Sequence, residues 1–395
     1  METARVIDSN RRRALRVALV SEPFYPDLGG MPEHVHNLAR QLVHAGHAAT
    51  VITTAYPQAP SLAVPDAPYD VVRLGRATSH IVSNGSQHHV AVGLCLRAKL
   101  TTLFAQRDFD VIHLHGPIFP TLALLGIHCA PARAALLGTL HTHFDDSRLL
   151  RLFRRPMQRY LDALDGLIAV SDTAVQSLQR VGLRCQATHI ENGVDVEYWQ
   201  AGQPLPALRD GCFNLLVQAR LEPRNDVGTV IAALRRLSER DRVRLIVVGD
   251  GPDRTRLQNE AKGLDVRFLG PQLAARADVA ASSDAYFFTA TIASHPMSLL
   301  EGMAAGLPVL AFDIAGVRGL VRDGNEGAVL RLGDVEQVAA RLRALVADVG
   351  LRRALGQAAL RRAMDFSWPT MAGRVMAYYE DRLQVLAARG YSATN

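Results

Sequence analysis

Leu15-Arg-Val-Ala-Leu-Val20 is a short apolar run that ends in Glu22-Pro-Phe-Tyr-Pro-Asp-Leu-Gly29-Gly30 and passes through Met-Pro-Glu33-His34-Val into a helical segment. A strand, a proline- and glycine-rich loop and a helix thus follow one another within some twenty residues. The same order recurs along the chain, which is the pattern of parallel sheets covered by helices, an α/β class. Strand candidates in the first half are 15–20, 49–53, 71–74, 111–115, 135–141 and 167–171. A second series occupies 214–219, 244–248, 266–269, 285–289 and 309–312. Between the two series, Gly202-Gln-Pro-Leu-Pro-Ala-Leu-Arg-Asp-Gly211 lacks periodicity and reads as a linker.

Two Rossmann-like domains facing across a cleft are therefore expected. The first spans 15–200 and the second 213–365, joined by 201–212. A basic tail, 1–14, precedes them, and 366–395 closes the chain as a helix with an apolar stripe through Met371, Val375, Tyr378, Tyr379 and Leu383. The length of 395 residues agrees with two or three domains at roughly 150 residues each.

Composition removes several functional classes. At 48% hydrophobic and 21% charged residues the chain is not predominantly disordered. The most apolar stretch, 121–140, is broken by His128, Pro131 and Arg133, which argues against a spanning helix. No apolar signal-peptide core precedes Leu15, so the expected location is the cytoplasm. Cys95, Cys129, Cys185 and Cys212 show no paired metal or redox spacing and read as buried, reduced thiols. The net charge of +6 is carried almost wholly by arginine, since Lys99 and Lys262 are the only lysines. The cations are dispersed, with no aromatic-basic pattern, so no nucleic-acid partner is expected.

The chemistry-bearing residues fall on loops that follow strands, where open α/β sheets bind ligands. Gly29-Gly30 opens a helix whose free N–H groups favour phosphate, with no Cβ to hold a ligand off. His113-Leu-His115 and His141-Thr-His143 end two strands. With 14 histidines in the chain a metal is worth weighing. The alternation of His113 and His115 is read as placing them on opposite strand faces, so that no metal site is expected and hydrogen bonding near a sugar is preferred. In the second half Gln218-Ala-Arg220 ends a strand, and the planar fork of an arginine suits a diphosphate. Ser298-Leu-Leu-Glu301-Gly302-Met-Ala-Ala-Gly306-Leu-Pro308 reads as a helix with one acidic residue, a glycine stop and a proline leading into a buried strand. Glu301 either accepts from ribose hydroxyls or merely offsets the helix dipole. Residues 147–162 interleave Arg148, Arg151, Arg154, Arg155 and Arg159 with Leu149, Leu150, Leu152, Phe153 and Met157. That is either a basic amphipathic helix on anionic lipid or a core-packed helix with a solvated face.

In order and spacing these motifs resemble the retaining GT-B glycosyltransferases of the large group that includes phosphatidylinositol mannosyltransferases, sucrose synthases and many lipopolysaccharide hexosyltransferases. The resemblance runs from Tyr25-Pro-Asp-Leu-Gly-Gly to Phe366-Ser-Trp368. It implies a metal-independent hexosyltransferase with no cofactor, taking a nucleotide-diphosphate sugar as substrate and a lipid or glycan acceptor of the cell envelope. It further implies that Gly29 and Gly30 lie against the donor diphosphate, that Arg220 grips its distal phosphate and that Glu301 holds the ribose. His141 would stand beside the transferred sugar, and Asn84-Gly85-Ser86 would face the acceptor. Ala169-Val-Ser171 and Asn192-Gly193-Val194-Asp195 match segments taken as structural.

Two positions depart from the pattern: Asn225 stands where the group has a lysine, and Ala293 where it has a second glutamate that contacts the donor sugar. Ser294 and His295 offer hydrogen bonds there without a fixed charge. The departures keep open an alternative, a catalytically weakened GT-B protein acting as a binding or scaffolding partner.

Overall fold

The computed structural model of the chain describes residues 13–27, 29–56, 67–83, 86–118, 121–141, 148–238, 241–272 and 275–390. Its first sheet contains β1 (Arg16–Val20), β2 (Ala48–Thr54) and β3 (Asp70–Leu74). A hairpin of β4 (Arg76–Ser83) and β5 (Ser86–Val92) stands apart, and β6 (Val111–His115), β7 (Ala135–Leu140), β8 (Gly166–Ala169) and β9 (Thr188–His189) complete the sheet. The strand order is β3-β2-β1-β6-β7-β8-β9, parallel throughout. The second sheet is formed by β10 (Phe213–Gln218), β11 (Val243–Val248), β12 (Val266–Gly270), β13 (Ala285–Phe288), β14 (Val309–Phe312) and β15 (Gly327–Leu330), in the order β12-β11-β10-β13-β14-β15 and also parallel.

All eleven strands expected from the sequence are present, with ends shifted by no more than two residues. The reason is burial on both faces. β6, β7, β10, β13 and β14 are buried at every position, so each reads as a near-continuous apolar run. Each sheet reverses its winding once, between β1 and β6 in the first and between β10 and β13 in the second. The loops that leave the carboxyl ends of those four strands therefore diverge and open a crevice. The two crevices supply the loops described below.

The last helix, Trp368–Ala388, returns to the first sheet. It buries Trp368, Ala372, Val375, Tyr379 and Leu386 in one core with Val17, Leu19, Val35 and Leu38, and Met371 is buried as well. Reciprocal backbone bonds fix its entry, with Val194 N–H donating to Phe366 C=O at 2.8 Å and Trp368 N–H donating to Val194 C=O at 3.1 Å. Gly193 is required there, since a Cβ would lie 2.5 Å from the Trp368 ring. The four cysteines are free, but the expectation that they are buried is corrected: Cys129 alone is buried and Cys95 is exposed, because Cys95 lies in the turn before helix Leu96–Arg107 rather than on a sheet face.

Candidate active site

Gly29 leaves β1 at φ +154°, exposed, and a Cβ built on it would meet no atom within 4 Å. Its missing side chain therefore faces open space rather than a packed neighbour. Gly30 starts the helix Gly30–His44, and a Cβ there would lie 3.9 Å from Sδ of Met297, the first residue of the helix Met297–Ala304. The amino ends of two helices, one from each sheet, thus converge at the glycine pair, and their free N–H groups and dipoles point positive toward the same space. Buried Glu22 steadies the loop beneath. Its Oε1 accepts from the backbone N–H groups of Ala91, Thr121 and Leu122, while burial pushes the carboxyl above its ordinary range.

Arg276 spans the two halves. Its Nη2 lies 2.9 Å from Glu33 Oε1 in the first turn of helix Gly30–His44, and its Nη1 lies 3.5 Å from Glu301 Oε1. The guanidinium stands over the Trp199 ring, 5.7 Å from the centroid. Burial pushes the Glu301 carboxyl up to about 7, against the lowering influence of Arg276. Burial disfavours the charge on Arg276 as well, but Glu301 and Glu33 outweigh it and hold the guanidinium more firmly protonated than usual.

Arg220 follows β10 and is 44% exposed, its Nε 2.8 Å from the buried Glu222, which Arg224 also approaches at 3.4 Å. The amide of Asn225 donates to the Arg220 carbonyl at 2.7 Å, so this side chain closes the loop on itself. Asp226 N–H donates to Thr289 C=O and Thr291 N–H to Arg224 C=O, tying the loop after β10 to the loop after β13. In that second loop Ala293 packs against the core, and its carbonyl leaves no room for a Cβ at Gly316, which would lie 2.4 Å away. Ser294 Oγ meets Ser171 Oγ of the first half at 2.6 Å. His295 is buried against Phe366, neither ring nitrogen is hydrogen bonded, and burial lowers its pKa to about 3.

His34, His113, His115 and His141 gather at the carboxyl edge of the first sheet. The expectation that His113 and His115 lie on opposite faces is corrected here: residues two apart on a strand share a face, and the two ring centroids are 4.3 Å apart. His113 is held between Tyr379 Oη at 2.7 Å and Thr139 Oγ1 at 2.6 Å. His141 lies 2.9 Å from His115, Nε2 to Nδ1. Asn192 donates from Nδ2 to the His295 carbonyl at 2.7 Å, so its Oδ1 is the acceptor for His34 Nδ1–H at 2.9 Å. Burial lowers all four histidines, His34 to about 4 and His113 to about 3. Ser171 and Asn192, taken as structural, thus touch residues of both halves at the cleft.

Gly29, Gly30, Glu301 and Met297 share one region through the contacts above, and Ser294, His295 and His141 share a second through Ser171, Asn192 and His34. Arg276 carries no motif signal of its own, and the segments that hold Glu33, His34 and Asn192 do not show which partners they meet. Their role arises from partners far away in sequence, 243 residues in the case of Glu33 and Arg276. Asn84 and Gly85 lie outside the described residues, and Ser86 is described only as the first residue of β5. Within 147–162 the described residues form two helices, Arg148–Leu152 and Arg154–Asp162, broken at Phe153. Leu152 and Phe153 are 76% and 48% exposed, so the core-packed alternative does not hold for these two. Among the described residues no helix is long and apolar enough to cross a membrane.

Residues 28–198 match the model of Glycosyltransferase Family 4, and residues 212–348 that of Glycosyl transferases group 1. A phosphatidyl-myo-inositol mannosyltransferase of Mycolicibacterium smegmatis is 32% identical over 372 residues, 93% of this chain and 94% of that one. The chain belongs to the GT-B glycosyltransferases. A GDP-mannose-dependent alpha-mannosyltransferase of Mycobacterium tuberculosis is 29% identical, covering 93% of this glycosyltransferase and 96% of its own length. Among solved structures, sucrose-phosphate synthase of Thermosynechococcus elongatus superposes with a TM-score of 0.74 at 19% identity, covering 95% of this chain and 100% of that one. Anabaena HepE in complex with UDP-glucose gives 0.73 at 19% identity, with 93% and 100% covered. These likenesses place the two sheets of this glycosyltransferase in the GT-B fold.

Proposed function

We propose that this glycosyltransferase is a retaining hexosyltransferase that moves a sugar from a nucleotide-diphosphate donor to an envelope lipid or polysaccharide acceptor. The observation that carries the reading is the meeting of two helix amino ends at Gly29-Gly30, with Glu301 one turn inside the second helix. A diphosphate in that space would receive N–H donors from both halves. The ribose would bond to Glu301, and Arg220 would leave Glu222 for the distal phosphate, exchanging one charge-assisted pair for another. In this reading 15–200 holds the acceptor, 213–365 holds the donor, 201–212 joins them and 366–395 closes the molecule. The relatives' names, mannosyltransferases among them, support a hexose donor.

The reaction needs no carboxylate pair. The leaving diphosphate departs on the face from which the acceptor hydroxyl attacks, and its oxygen takes the hydroxyl proton, so the anomeric configuration is kept. Helix dipoles and Arg220 stabilise the developing negative charge without a metal. His141 sits beside the sugar, steadied by His115, and Asn84, Gly85 and Ser86 contribute on the acceptor side. Ser294 supplies a hydroxyl where the group has a glutamate at the preceding position. His295, with its ring buried against Phe366, contributes its backbone position rather than a ring nitrogen.

Exposed Leu152 and Phe153 stand beside Arg151, Arg154 and Arg155. This supports peripheral contact with an anionic membrane on the cytoplasmic side, where a lipid acceptor would be met. Isothermal titration with UDP, GDP and ADP tests the donor site. One nucleoside diphosphate is expected to bind with one equivalent per chain, and Glu301→Ala is expected to weaken it. The scaffold reading keeps one observation in its favour, the use of the Asn225 amide to close its own loop. Absence of binding by all three nucleotides would favour it.

A further inference from the structure

His34, His115 and His141 come from three separate elements: a helix after β1, the last residue of β6 and the first residue after β7. Each offers one ring nitrogen, and these nitrogens lie within 4.8 Å of one another. Their second contacts decide which lone pairs are free. His34 donates from Nδ1 to Asn192, so its Nε2 carries a lone pair, and that atom is buried with no hydrogen-bond partner. Nε2 of His115 is buried and unpartnered too, while its Nδ1 shares one hydrogen bond with His141 Nε2 at 2.9 Å, so an ion held by both rings replaces that bond. His113 does not join them, because Tyr379 and Thr139 occupy both of its nitrogens. His141 is the one ring of the three that is partly exposed, so an ion enters past it.

Unpartnered buried nitrogens cost free energy unless something satisfies them. The set contains no oxygen donor, which excludes Mg2+ and Ca2+, whereas three imidazoles suit Zn2+ and its neighbours. Zinc–nitrogen bonds of about 2.0–2.1 Å in tetrahedral geometry hold ligand nitrogens about 3.4 Å apart, so small ring rotations bring these three to that spacing. Asn192 would fix the His34 tautomer, as an outer hydrogen-bond partner does in a metal site.

We propose that His34, His115 and His141 form a three-imidazole site for a borderline transition-metal ion such as Zn2+, and that an ion there takes His141 away from the sugar and stops transfer. The site's existence is independent of the proposed function. Only the inhibition rests on it.

The test uses the full chain, freed of metal by a chelator and titrated with Co2+ and then Zn2+. At one equivalent Co2+ is expected to give the visible bands of a four- or five-coordinate ion, which Zn2+ abolishes, and X-ray absorption on the zinc-loaded natural chain should count three imidazoles. His34→Gln, His115→Gln and His141→Ala should each weaken Zn2+ binding on the order of 100-fold or more, while exposed His44→Ala should not. Absence of the bands, or bands that persist in all three variants, overturns the site. X-ray absorption on the natural chain tests the ligand set even where a variant fails to fold, and fewer than three imidazoles overturns it. If the site holds but Zn2+ leaves nucleotide release unchanged in an active preparation, the inhibition is wrong and the metal site stands.

Discussion

Arg276 has one carboxylate from each half of the molecule within reach, and no feature of the sequence points to it. Burial alone would neutralise Glu301, and Arg276 opposes that. The folded carboxyl titrates near 7, above its unfolded value of 4.5. Between those pH values the folded chain binds the extra proton, so this group's contribution to stability falls as pH rises through that window. Nucleotide binding runs the other way, because only the ionised carboxylate accepts two ribose hydroxyls, and affinity is expected to rise as pH passes through 7. Arg276→Met removes the opposing charge, so the midpoint of that rise should move to higher pH, read by titration calorimetry with the nucleoside diphosphate across pH. An unshifted midpoint would show that Arg276 does not control Glu301. Arg220→Ala should lower kcat/KM by about 10- to 100-fold, the loss of a charge-assisted bond worth about 1.5–3 kcal/mol, while the exposed Arg353→Ala leaves it unchanged. Equal activity of the two variants would remove Arg220 from the site.

Elements were legible in the sequence where both faces are buried. β1, β10 and β13 read as apolar runs because neighbours cover them from both sides. The hairpin of β4 and β5 was not legible, since Arg-Ala-Thr-Ser-His-Ile-Val-Ser carries no unbroken apolar run, and β15 opens on a glycine directly after the turn-like Asp323-Gly-Asn-Glu326. His113 and His115 stand two apart on one strand, and the period of two puts them on one face. The helix Trp368–Ala388 was legible by its stripe, but its seat on the first sheet depends on Gly193, whose missing Cβ no periodicity reveals. Gly193→Ala forces the Trp368 ring to shift and is expected to cost about 1–3 kcal/mol, measured as a lower urea midpoint. An unchanged midpoint would mean that the ring is not held there. The break at Phe153 leaves two apolar side chains in water beside arginines. Flotation with anionic vesicles should capture the natural chain and lose it when Arg151, Arg154 and Arg155 are neutralised, and indifference to lipid charge would contradict the membrane contact.

At the scale of the whole molecule the polar contacts that join the two halves include, among the described residues, Arg276 with Glu33, Ser171 with Ser294, Gln200 with Ala304, and Asn192 between His34 and His295. Each pairs residues more than a hundred positions apart, which is why motif reading found the loops but not the links between them. In the proposed reaction the two domains transfer a hexose from a nucleotide donor despite Asn225 and Ala293. Ala293 cannot accept from sugar hydroxyls, so donor choice should be broader than that of Ala293→Glu rather than abolished. The direct measurement is nucleoside diphosphate release from a panel of UDP-, GDP- and ADP-hexoses with membrane extract as acceptor, comparing the natural chain with the Ala293→Glu, Asn225→Lys double variant. The natural chain is expected to release nucleotide from at least one donor and to yield a product of the donor's anomeric configuration. No release by the natural chain, with release by the double variant, would contradict hexose transfer by this chain and mark it as a degenerate transferase.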